Sequence, residues 1–224
     1  MPTFQSNAAQ RTFVSTDDTV GYDRRMSSIA AFILSGGKST RMGADKAFLE
    51  IASKPLIVRA IELTRAVTDQ VRIVGAPQKF SAYAPIVEDV FPDCGPLGGI
   101  HAALTTTDAD LNLVLAVDLP FVTADLLRLL LAEAQDSGAT VTVPHAAGRL
   151  QPLCSVYRQQ FASAAERALA QGKNKIDALF QGVSVNIVSE KKLLAAGFSS
   201  AIFRNLNTPE EWESAKRQFS VQSR

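Results

Sequence analysis

A loop rich in glycine and basic residues supplies the first candidate site. It follows the apolar run at residues 30–34 and reads Leu34-Ser35-Gly36-Gly37-Lys38-Ser39-Thr40-Arg41-Met42-Gly43-Ala44-Asp45-Lys46. Glycines allow main-chain N–H groups to approach an anion closely, and such groups bind phosphate oxygens. Arg41 can bind a phosphate through two hydrogen bonds, and Lys46 can neutralise one as a point charge. The loop therefore predicts a polyphosphate site, the alternative being a surface loop with incidental charges.

An aspartate at the end of the most hydrophobic predicted strand supplies the second candidate site. Residues 111–117 are almost entirely apolar, and Asp118-Leu119-Pro120 follows directly. A carboxylate there costs stability unless a ligand at the sheet edge uses its charge. Magnesium prefers one or two protein carboxylates together with substrate phosphates, so we expect Asp118 to bind Mg²⁺. The alternative is an N-cap for the next helix, for which Thr123 is better placed.

Two familiar nucleotide-binding motifs are absent from the sequence. Gly37-Lys38-Ser39 resembles the end of a P-loop, but that motif needs a glycine at position 32, where the chain has Phe32. The dinucleotide-binding pattern Gly-x-Gly-x-x-Gly is missing as well. A second glycine cluster, Gly95-Pro96-Leu97-Gly98-Gly99, follows Glu88-Asp89. Close main-chain packing and a ligand-binding edge explain that cluster equally well.

Strand-like and helix-like segments alternate along the rest of the chain. The apolar patterns predict strands at residues 30–34, 71–74, 85–87, 111–117, 139–143, 154–157 and 183–188. They predict helices at residues 55–67, with Pro55 in the first turn, and at residues 96–104, 124–135 and 159–171, and a capping box at Thr208 begins a last helix. Such alternation is typical of parallel βαβ units. We therefore predict a single-domain, three-layer α/β/α fold with a mostly parallel, Rossmann-like central sheet and ligands beyond the carboxyl ends of its strands.

Length and charge limit the domain count and the class of function. The chain has 224 residues and a formal net charge of +1, which suits one domain and lacks the basic surface typical of nucleic-acid-binding proteins. Arg128, Glu133 or Asn112 interrupts each of the longest apolar stretches, so no membrane span is predicted. Cys94 and Cys154 predict two reduced thiols in a cytoplasmic protein. We expect a disordered tail at residues 1–28, a domain at residues 29–218 and a second tail at residues 219–224.

In their order along the chain, these motifs are typical of one family. Leu-x-Gly-Gly-x-Ser-x-Arg-Met-Gly-x-Asp-Lys is followed by Glu-Asp, Gly-Pro-Leu-x-Gly and Asp-x-Pro, and Asn-x-Asn-Thr-Pro-Glu-Glu comes last. The sequence resembles the molybdenum cofactor guanylyltransferases, in the nucleoside-diphospho-sugar transferase-like superfamily, over residues 29–218. The resemblance implies a cytoplasmic enzyme that transfers GMP from GTP to the molybdopterin-type molybdenum cofactor and releases pyrophosphate. Mg²⁺ is the implied cofactor.

The resemblance also implies roles for individual residues. The implied catalytic residues are Arg41, Lys46 and Asp118, with Asp118 holding Mg²⁺. The implied nucleotide-binding residues are Leu34, Ser35, Gly36, Gly37, Lys46, Asp89 and Asp118. The residues implied to lie near the molybdenum cofactor substrate are Lys173, Lys175, Asn205 and Asn207. Transient contact with cofactor-insertion proteins and apo-molybdoenzymes is implied, and binding to nucleic acid or to membranes is not.

The implied reaction demands little covalent chemistry from the protein. A phosphate of molybdopterin attacks the α-phosphate of GTP, and because the attacking group is already an anion, no general base is required. In-line positioning and charge stabilisation are sufficient. Gly36 favours GTP, because cytidylyltransferase relatives read Leu-Ala-Ala-Gly where this chain has Leu34-Ser35-Gly36-Gly37. The alternatives are CTP-dependent cytidylyl transfer, a sugar-1-phosphate nucleotidyltransferase, and a non-catalytic nucleotide-binding module.

The chain departs from the pattern of the family at two positions. The family usually has alanine where this chain has Ser35. It also tends to have asparagine after the second strand, where this chain reads Gly75-Ala76-Pro77. The second difference predicts that one base or ribose contact is missing or is made by main-chain atoms.

Overall fold

A twisted sheet with helices on both faces forms the centre of the computed structural model, which describes residues 28–36, 45–206 and 208–222. The strands are β1 (Ile29–Leu34), β2 (Glu50–Ile51), β3 (Lys54–Pro55), β4 (Val71–Val74), β5 (Ile86–Val87), β6 (Leu111–Ala116), β7 (Val141–Ala146), β8 (Arg149–Leu150), β9 (Cys154–Tyr157) and β10 (Val185–Val188). The helices are α1 (Leu56–Arg65), α2 (Pro77–Phe80), α3 (Pro96–Thr105), α4 (Ala124–Ser137), α5 (Phe161–Ala170), α6 (Ile176–Leu179), α7 (Glu190–Ala195) and α8 (Pro209–Gln222). Short 3₁₀ helices lie at Lys46–Phe48, Phe180–Gly182 and Ser200–Phe203.

Most strands of the main sheet run parallel. The order is β10-β7-β9-β6-β1-β4-β5, with β8 added to β7 as an antiparallel hairpin. β1 pairs in parallel with both β4 and β6, whereas β9 lies antiparallel between β6 and β7. The predicted three-layer α/β/α class with a mostly parallel sheet is confirmed. β2 and β3 form a separate two-stranded sheet.

Apolar helix faces cover the two sides of this sheet. On one side, Ile57 and Ile61 of α1 and Leu130 of α4 belong to one core cluster with side chains of β1 and β6. On the other side, Ile100 of α3 and Phe161 of α5 belong to a second cluster. Strands covered on both faces are apolar at nearly every position, which explains the continuous hydrophobic runs of β1 and β6. The carboxyl ends of β1, β4 and β6 therefore meet at one solvent-facing edge.

Most predicted elements are present, with differences at their ends. The strands at residues 71–74 and 154–157 have the predicted bounds. Pro55 is predicted to lie in the first turn of α1, but it ends β3 and is the N-cap residue that precedes the helix. Thr208 and Glu211 form the predicted capping box. The Thr208 hydroxyl accepts the Glu211 N–H at 3.2 Å, and the Glu211 carboxylate accepts the Thr208 N–H at 3.1 Å.

Both ends of the described chain are joined to the domain. Ser28, the last residue of the predicted N-terminal tail, donates its N–H and its hydroxyl to Asp110, and residues 1–27 lie outside the described residues. At the other end, α8 continues to Gln222, beyond the boundary predicted at residue 218. Phe219 stacks on Phe121 with ring centres 5.4 Å apart, which explains why the helix extends this far. Within the described ranges, every helix is too short or too polar to span a bilayer.

Candidate active site

The end of β1 is joined by hydrogen bonds to both neighbouring strands. The N–H of Ser35 donates to the carbonyl of Val74 at 3.0 Å, and the N–H of Val117 donates to the carbonyl of Leu34 at 3.0 Å. These bonds continue the parallel ladders for one residue past the strands. They place Ser35, Gly75 and Asp118 side by side at the carboxyl edge of the sheet, where ligands bind in open α/β folds.

Lys46 and Asp118 meet at this edge although they lie far apart in sequence. Lys46 begins the 3₁₀ helix Lys46–Phe48, and Asp45 caps that helix by accepting the N–H of Ala47 at 3.2 Å. The Lys46 ammonium lies 3.7 Å from Oδ2 of Asp118. The two side chains are only 19% and 25% exposed, so solvent screens their charges weakly. An ammonium group and a carboxylate therefore lie next to each other at the carboxyl edge of the sheet.

The surroundings of Asp118 fit a role in cation binding. Thr123, and not Asp118, caps α4 by accepting the N–H of Leu126, so the alternative of a helix cap is excluded. Burial raises the pKa of the Asp118 carboxyl, and the Lys46 charge offsets part of that rise. The ionised carboxylate is therefore incompletely compensated, and a further cation would stabilise it.

The donor set around Asp118 suits magnesium. Across the ranges 28–36, 45–206 and 208–222, no group of three or more His, Cys, Asp or Glu side chains could hold a metal ion. An ion at Asp118 would therefore rely on one carboxylate, substrate phosphates and water. Mg²⁺ is commonly bound in this way, because it keeps much of its water shell and rarely uses a cage made only of protein groups.

Asp89 has a structural environment that the sequence does not reveal. Its Oδ1 accepts the N–H of Phe91 at 2.8 Å, and its carboxylate lies against the first turn of α3. A Cβ at position 98 would lie 2.8 Å from Asp89 Oδ2 and 3.0 Å from the carbonyl of Phe91, so a side chain there would displace the carboxylate. Burial raises the pKa of Asp89, while the Phe91 hydrogen bond and the charge of His101 lower it. Its contact with the nucleotide stays a prediction.

The second glycine cluster serves close packing. Besides the contact of Gly98 with Asp89, a Cβ at Gly99 would lie 3.3 Å from Leu34 and 3.4 Å from Val74. α3 can therefore approach the ends of β1 and β4 closely only because these two residues lack side chains. Of the two explanations that the sequence leaves open, the structure supports close main-chain packing.

The predicted residues at the start of the loop differ in their surroundings. Leu34 is buried, and the Ser35 hydroxyl donates to the carbonyl of Val74 at 3.1 Å. Among the described residues, no atom lies within 4 Å of a Cβ placed on Gly36. Gly37 and Arg41 lie outside the described residues, so their roles stay predictions.

The residues predicted to lie near the molybdenum cofactor substrate belong to two separate segments of the chain. β9 runs antiparallel to β6 and α5 then returns along the sheet, so the exposed Lys173 and Lys175 follow the end of α5 at the carboxyl edge. Asn205 is next to Arg204. The guanidinium of Arg204 lies 4.4 Å from the ring centre of Phe121, which belongs to the segment between β6 and α4 that also contains Asp118. Asn207 lies outside the described residues.

Two residues at this edge have contacts that sequence analysis misses. Asp45 belongs to the first motif, but the pattern does not show that its carboxylate caps the helix bearing Lys46. Gly75 departs from the family pattern, but the pattern does not show that the Ser35 hydroxyl lies directly over it. An aspartate two residues before a helical N–H is a signal for such a cap.

A cavity of about 290 Å³ lies between α1, the end of β6 and the segment that follows β6. Its lining includes Leu56, Leu63, Val117 and Leu119, with Arg59 among its polar residues. Neither Lys46 nor Asp118 lines it. The cavity is therefore separate from the edge where the predicted nucleotide-binding residues meet.

Comparison with known sequences points in the same direction as this geometry. Residues 31–186 match the MobA-like NTP transferase domain. A probable molybdenum cofactor guanylyltransferase from Pelotomaculum thermopropionicum is 36% identical, covering 82% of this chain and 90% of the relative. A molybdenum cofactor guanylyltransferase from Desulfosudis oleivorans is 32% identical, covering 85% of this chain and 96% of the relative.

Solved structures with the same fold include both related and more distant proteins. The molybdopterin-guanine dinucleotide biosynthesis protein A from Archaeoglobus fulgidus superposes with a TM-score of 0.76 at 28% identity, covering 86% of this chain and 99% of that one. The 2-C-methyl-D-erythritol 4-phosphate cytidylyltransferase from Thermus thermophilus superposes with a TM-score of 0.65 at 20% identity, covering 87% of this chain and 100% of that one. The second likeness is one of fold alone.

Proposed function

The chain belongs to the MobA-like NTP transferase family, and from that premise we propose that it transfers GMP from GTP to the molybdopterin-type molybdenum cofactor. The family resemblance predicted from the motifs is confirmed, and the protein is a nucleotidyltransferase. The names of the guanylyltransferase relatives support the choice of substrates. The observation that carries the proposal is the pairing of Lys46 with Asp118, 3.7 Å apart at the carboxyl edge of the sheet.

Lys46 supplies the charge that such a transfer needs. A phosphate oxygen of molybdopterin attacks the α-phosphorus of GTP, the bond to the β-phosphate breaks, and pyrophosphate leaves. The transferred group and the leaving group both carry negative charge, which a partly buried ammonium stabilises more strongly than an exposed one. Asp118 directs that ammonium toward the sheet edge. The attacking phosphate is an anion, so the site requires no general base.

Asp118 is the residue that would hold Mg²⁺ in this reaction. When bound, the ion would supply charge neutralisation for the phosphates of the nucleotide. The carboxylate contributes a fixed position, because Val117 before it and Leu119 after it are packed into core clusters. Lys46 would thus bind the anionic substrate, and Asp118 would hold the cation next to it.

The glycine at position 36 supports GTP as the nucleotide. Glycine carries no side chain, so it leaves room for a purine edge and leaves its main-chain N–H accessible to a base carbonyl. We also place the reaction in the cytoplasm, with Cys94 and Cys154 as free thiols, and infer that the product passes to cofactor-insertion proteins or apo-molybdoenzymes.

A pyrophosphate-release assay with each nucleotide separately tests the proposal. Purified protein would be incubated with Mg²⁺, molybdenum cofactor and one of GTP, CTP, ATP or UTP, with omission of the cofactor as the control. We expect release with GTP only, and only when the cofactor is present. Release with CTP alone would keep the reaction type and overturn the base assignment. No release with any nucleotide, from folded protein and active cofactor, would overturn guanylyl transfer to this acceptor.

A further inference from the structure

Both carboxylate oxygens of Asp45, the residue before Lys46, are occupied. Oδ1 accepts the N–H of Ala47 at 3.2 Å, and Oδ2 accepts a hydrogen bond from the ammonium of Lys79 at 2.7 Å. The first contact caps the 3₁₀ helix Lys46–Phe48 and thereby fixes the direction of the chain at Lys46. The second joins the same carboxylate to α2. Lys79 is therefore linked to Lys46 through a single intervening side chain.

An aromatic contact holds the same two elements together. The rings of Phe48 and Phe80 stack with centres 5.4 Å apart and planes inclined by 16°. Tyr83 adds a tilted contact to Phe48, at 6.1 Å between ring centres. α2 thus contacts the 3₁₀ helix at both of its ends, with the ion pair at Asp45 and the stack at Phe48. Such a double contact restricts the helix to one orientation.

The charge of Asp45 explains why a cation is needed at this position. Asp45 is only 26% exposed and adjoins the lysine that meets the predicted phosphate site. Without a partner, its carboxylate would repel an approaching polyphosphate. The Lys79 ammonium lies 2.7 Å from the carboxylate and offsets its charge. The pair therefore reduces the negative charge next to Lys46.

We propose that Lys79 is a positioning residue for nucleotide binding, which acts through Asp45 to hold Lys46 at the phosphate site. The proposal deepens the proposed function and rests on it. A second ion pair, Lys54 with Glu62 at 2.8 Å, provides a comparison for the pair of Lys79 with Asp45. The two lysines are similarly exposed, at 53% for Lys79 and 45% for Lys54, but Glu62 is 55% exposed whereas Asp45 is 26% exposed and caps the helix that carries Lys46. That pair supplies a matched control.

Equilibrium binding of fluorescent GTP and CTP analogues to the full chain, together with kcat and KM from pyrophosphate release, tests the proposal. The variants are Lys79→Ala, Lys79→Arg, Asp45→Asn and the double variant with Lys79→Ala and Asp45→Asn, with Lys54→Ala as control. We expect Lys79→Ala to weaken binding and raise KM by about three- to tenfold, with a smaller change in kcat. Lys79→Arg should keep the binding affinity within about twofold of the wild type, because it keeps the positive charge. Lys54→Ala should have the binding affinity and KM of the wild type.

The double variant decides whether Lys79 acts through Asp45. If it does, Lys79→Ala has no further effect once Asp45→Asn has removed the charge. An equal loss in both backgrounds would show that Lys79 contacts the phosphates directly, and wild-type binding by Lys79→Ala would show that the pair is only a surface ion pair. Either result overturns the proposal. Wild-type protein that binds only the CTP analogue overturns the guanylyl assignment and leaves Lys79 testable with that analogue, whereas binding of neither analogue overturns both.

Discussion

The hydroxyl of Ser35 occupies the space directly over Gly75. A Cβ at position 75 would overlap Ser35 Oγ, and it would also lie 3.1 Å from the ring of Phe80. The hydroxyl is held there by its hydrogen bond to Val74. The two departures from the family pattern, serine for alanine and glycine after the second strand, are therefore one steric pair. A larger residue at position 75 would require the hydroxyl of Ser35 to leave its hydrogen bond to Val74.

This pair predicts non-additive effects of substitution. Gly75→Ala should lower the free energy of unfolding by about 1–3 kcal/mol, because the new methyl group has no space. Ser35→Ala should cost about 1 kcal/mol or less through loss of one hydrogen bond. The double variant should be more stable than Gly75→Ala alone, because Ser35→Ala removes the shortest contact. Urea denaturation measures all three, and simple additivity of the two single costs would contradict the pairing.

Asp118→Asn should separate activity from stability. The amide keeps the shape of the carboxylate but is a far weaker cation ligand, so turnover should fall by about 100-fold or more. The free energy of unfolding should stay within about 1 kcal/mol of the wild type, because the substitution also removes a carboxylate that burial destabilises. Pyrophosphate release and urea denaturation provide the two measurements.

Asp125→Asn is the matched control for Asp118→Asn. Asp125 is a second carboxylate after β6, but it is exposed, lies in the first turn of α4 and pairs with Arg128 at 2.7 Å. Its substitution should leave turnover unchanged. Full activity of Asp118→Asn would show that Asp118 does not belong to the site. Equal losses of turnover in both variants would indicate a general disturbance of the segment between β6 and α4.

Sequence patterns predict the parts of this site that local chemistry determines. Apolar runs that end in polar residues identify β1 and β6, and their parallel pairing brings Lys46 and Asp118 to one edge. The orientation of Asp89 cannot be predicted in this way, since it depends on how closely Gly98 of α3 approaches. α2 is also unpredictable, because four residues are too few to show a helical period. The contact of Lys79 with Asp45 then follows from tertiary packing alone.

The contact between Ser28 and Asp110 predicts a pH-dependent contribution to stability. The N–H and hydroxyl of Ser28 lower the pKa of the Asp110 carboxyl by hydrogen bonding to its charged form. A lowered pKa means that this stabilisation is complete above the ordinary pKa of about 3.9 and is lost as the pH falls through the folded-state value. Asp110→Ala should therefore cost less than about 1 kcal/mol at pH 7, since the group is exposed, and still less at pH 3.

Denaturation of wild type and Asp110→Ala at the two pH values measures this difference. Asp108→Ala, at an exposed position two residues earlier, is the matched control for the loss of a surface aspartate. A cost that grows on acidification would contradict the sign of the pKa shift. A cost of the same size at both pH values would show that the carboxylate charge contributes nothing to the contact.

Removal of the last residues tests the domain boundary, which sequence patterns place at residue 218. Phe219 lies between two partners: its ring stacks on Phe121, and the guanidinium of Arg59 lies 4.4 Å from its ring centre. Truncation after Gln218 should therefore cost about 2 kcal/mol, or about 4–8 °C in Tm. Phe219→Ala should reproduce most of that loss, and truncation after Gln222, which keeps Phe219, is the control. Thermal denaturation of the three variants compares them directly, and a Tm unchanged by Phe219→Ala would mean that the domain ends where the sequence predicts.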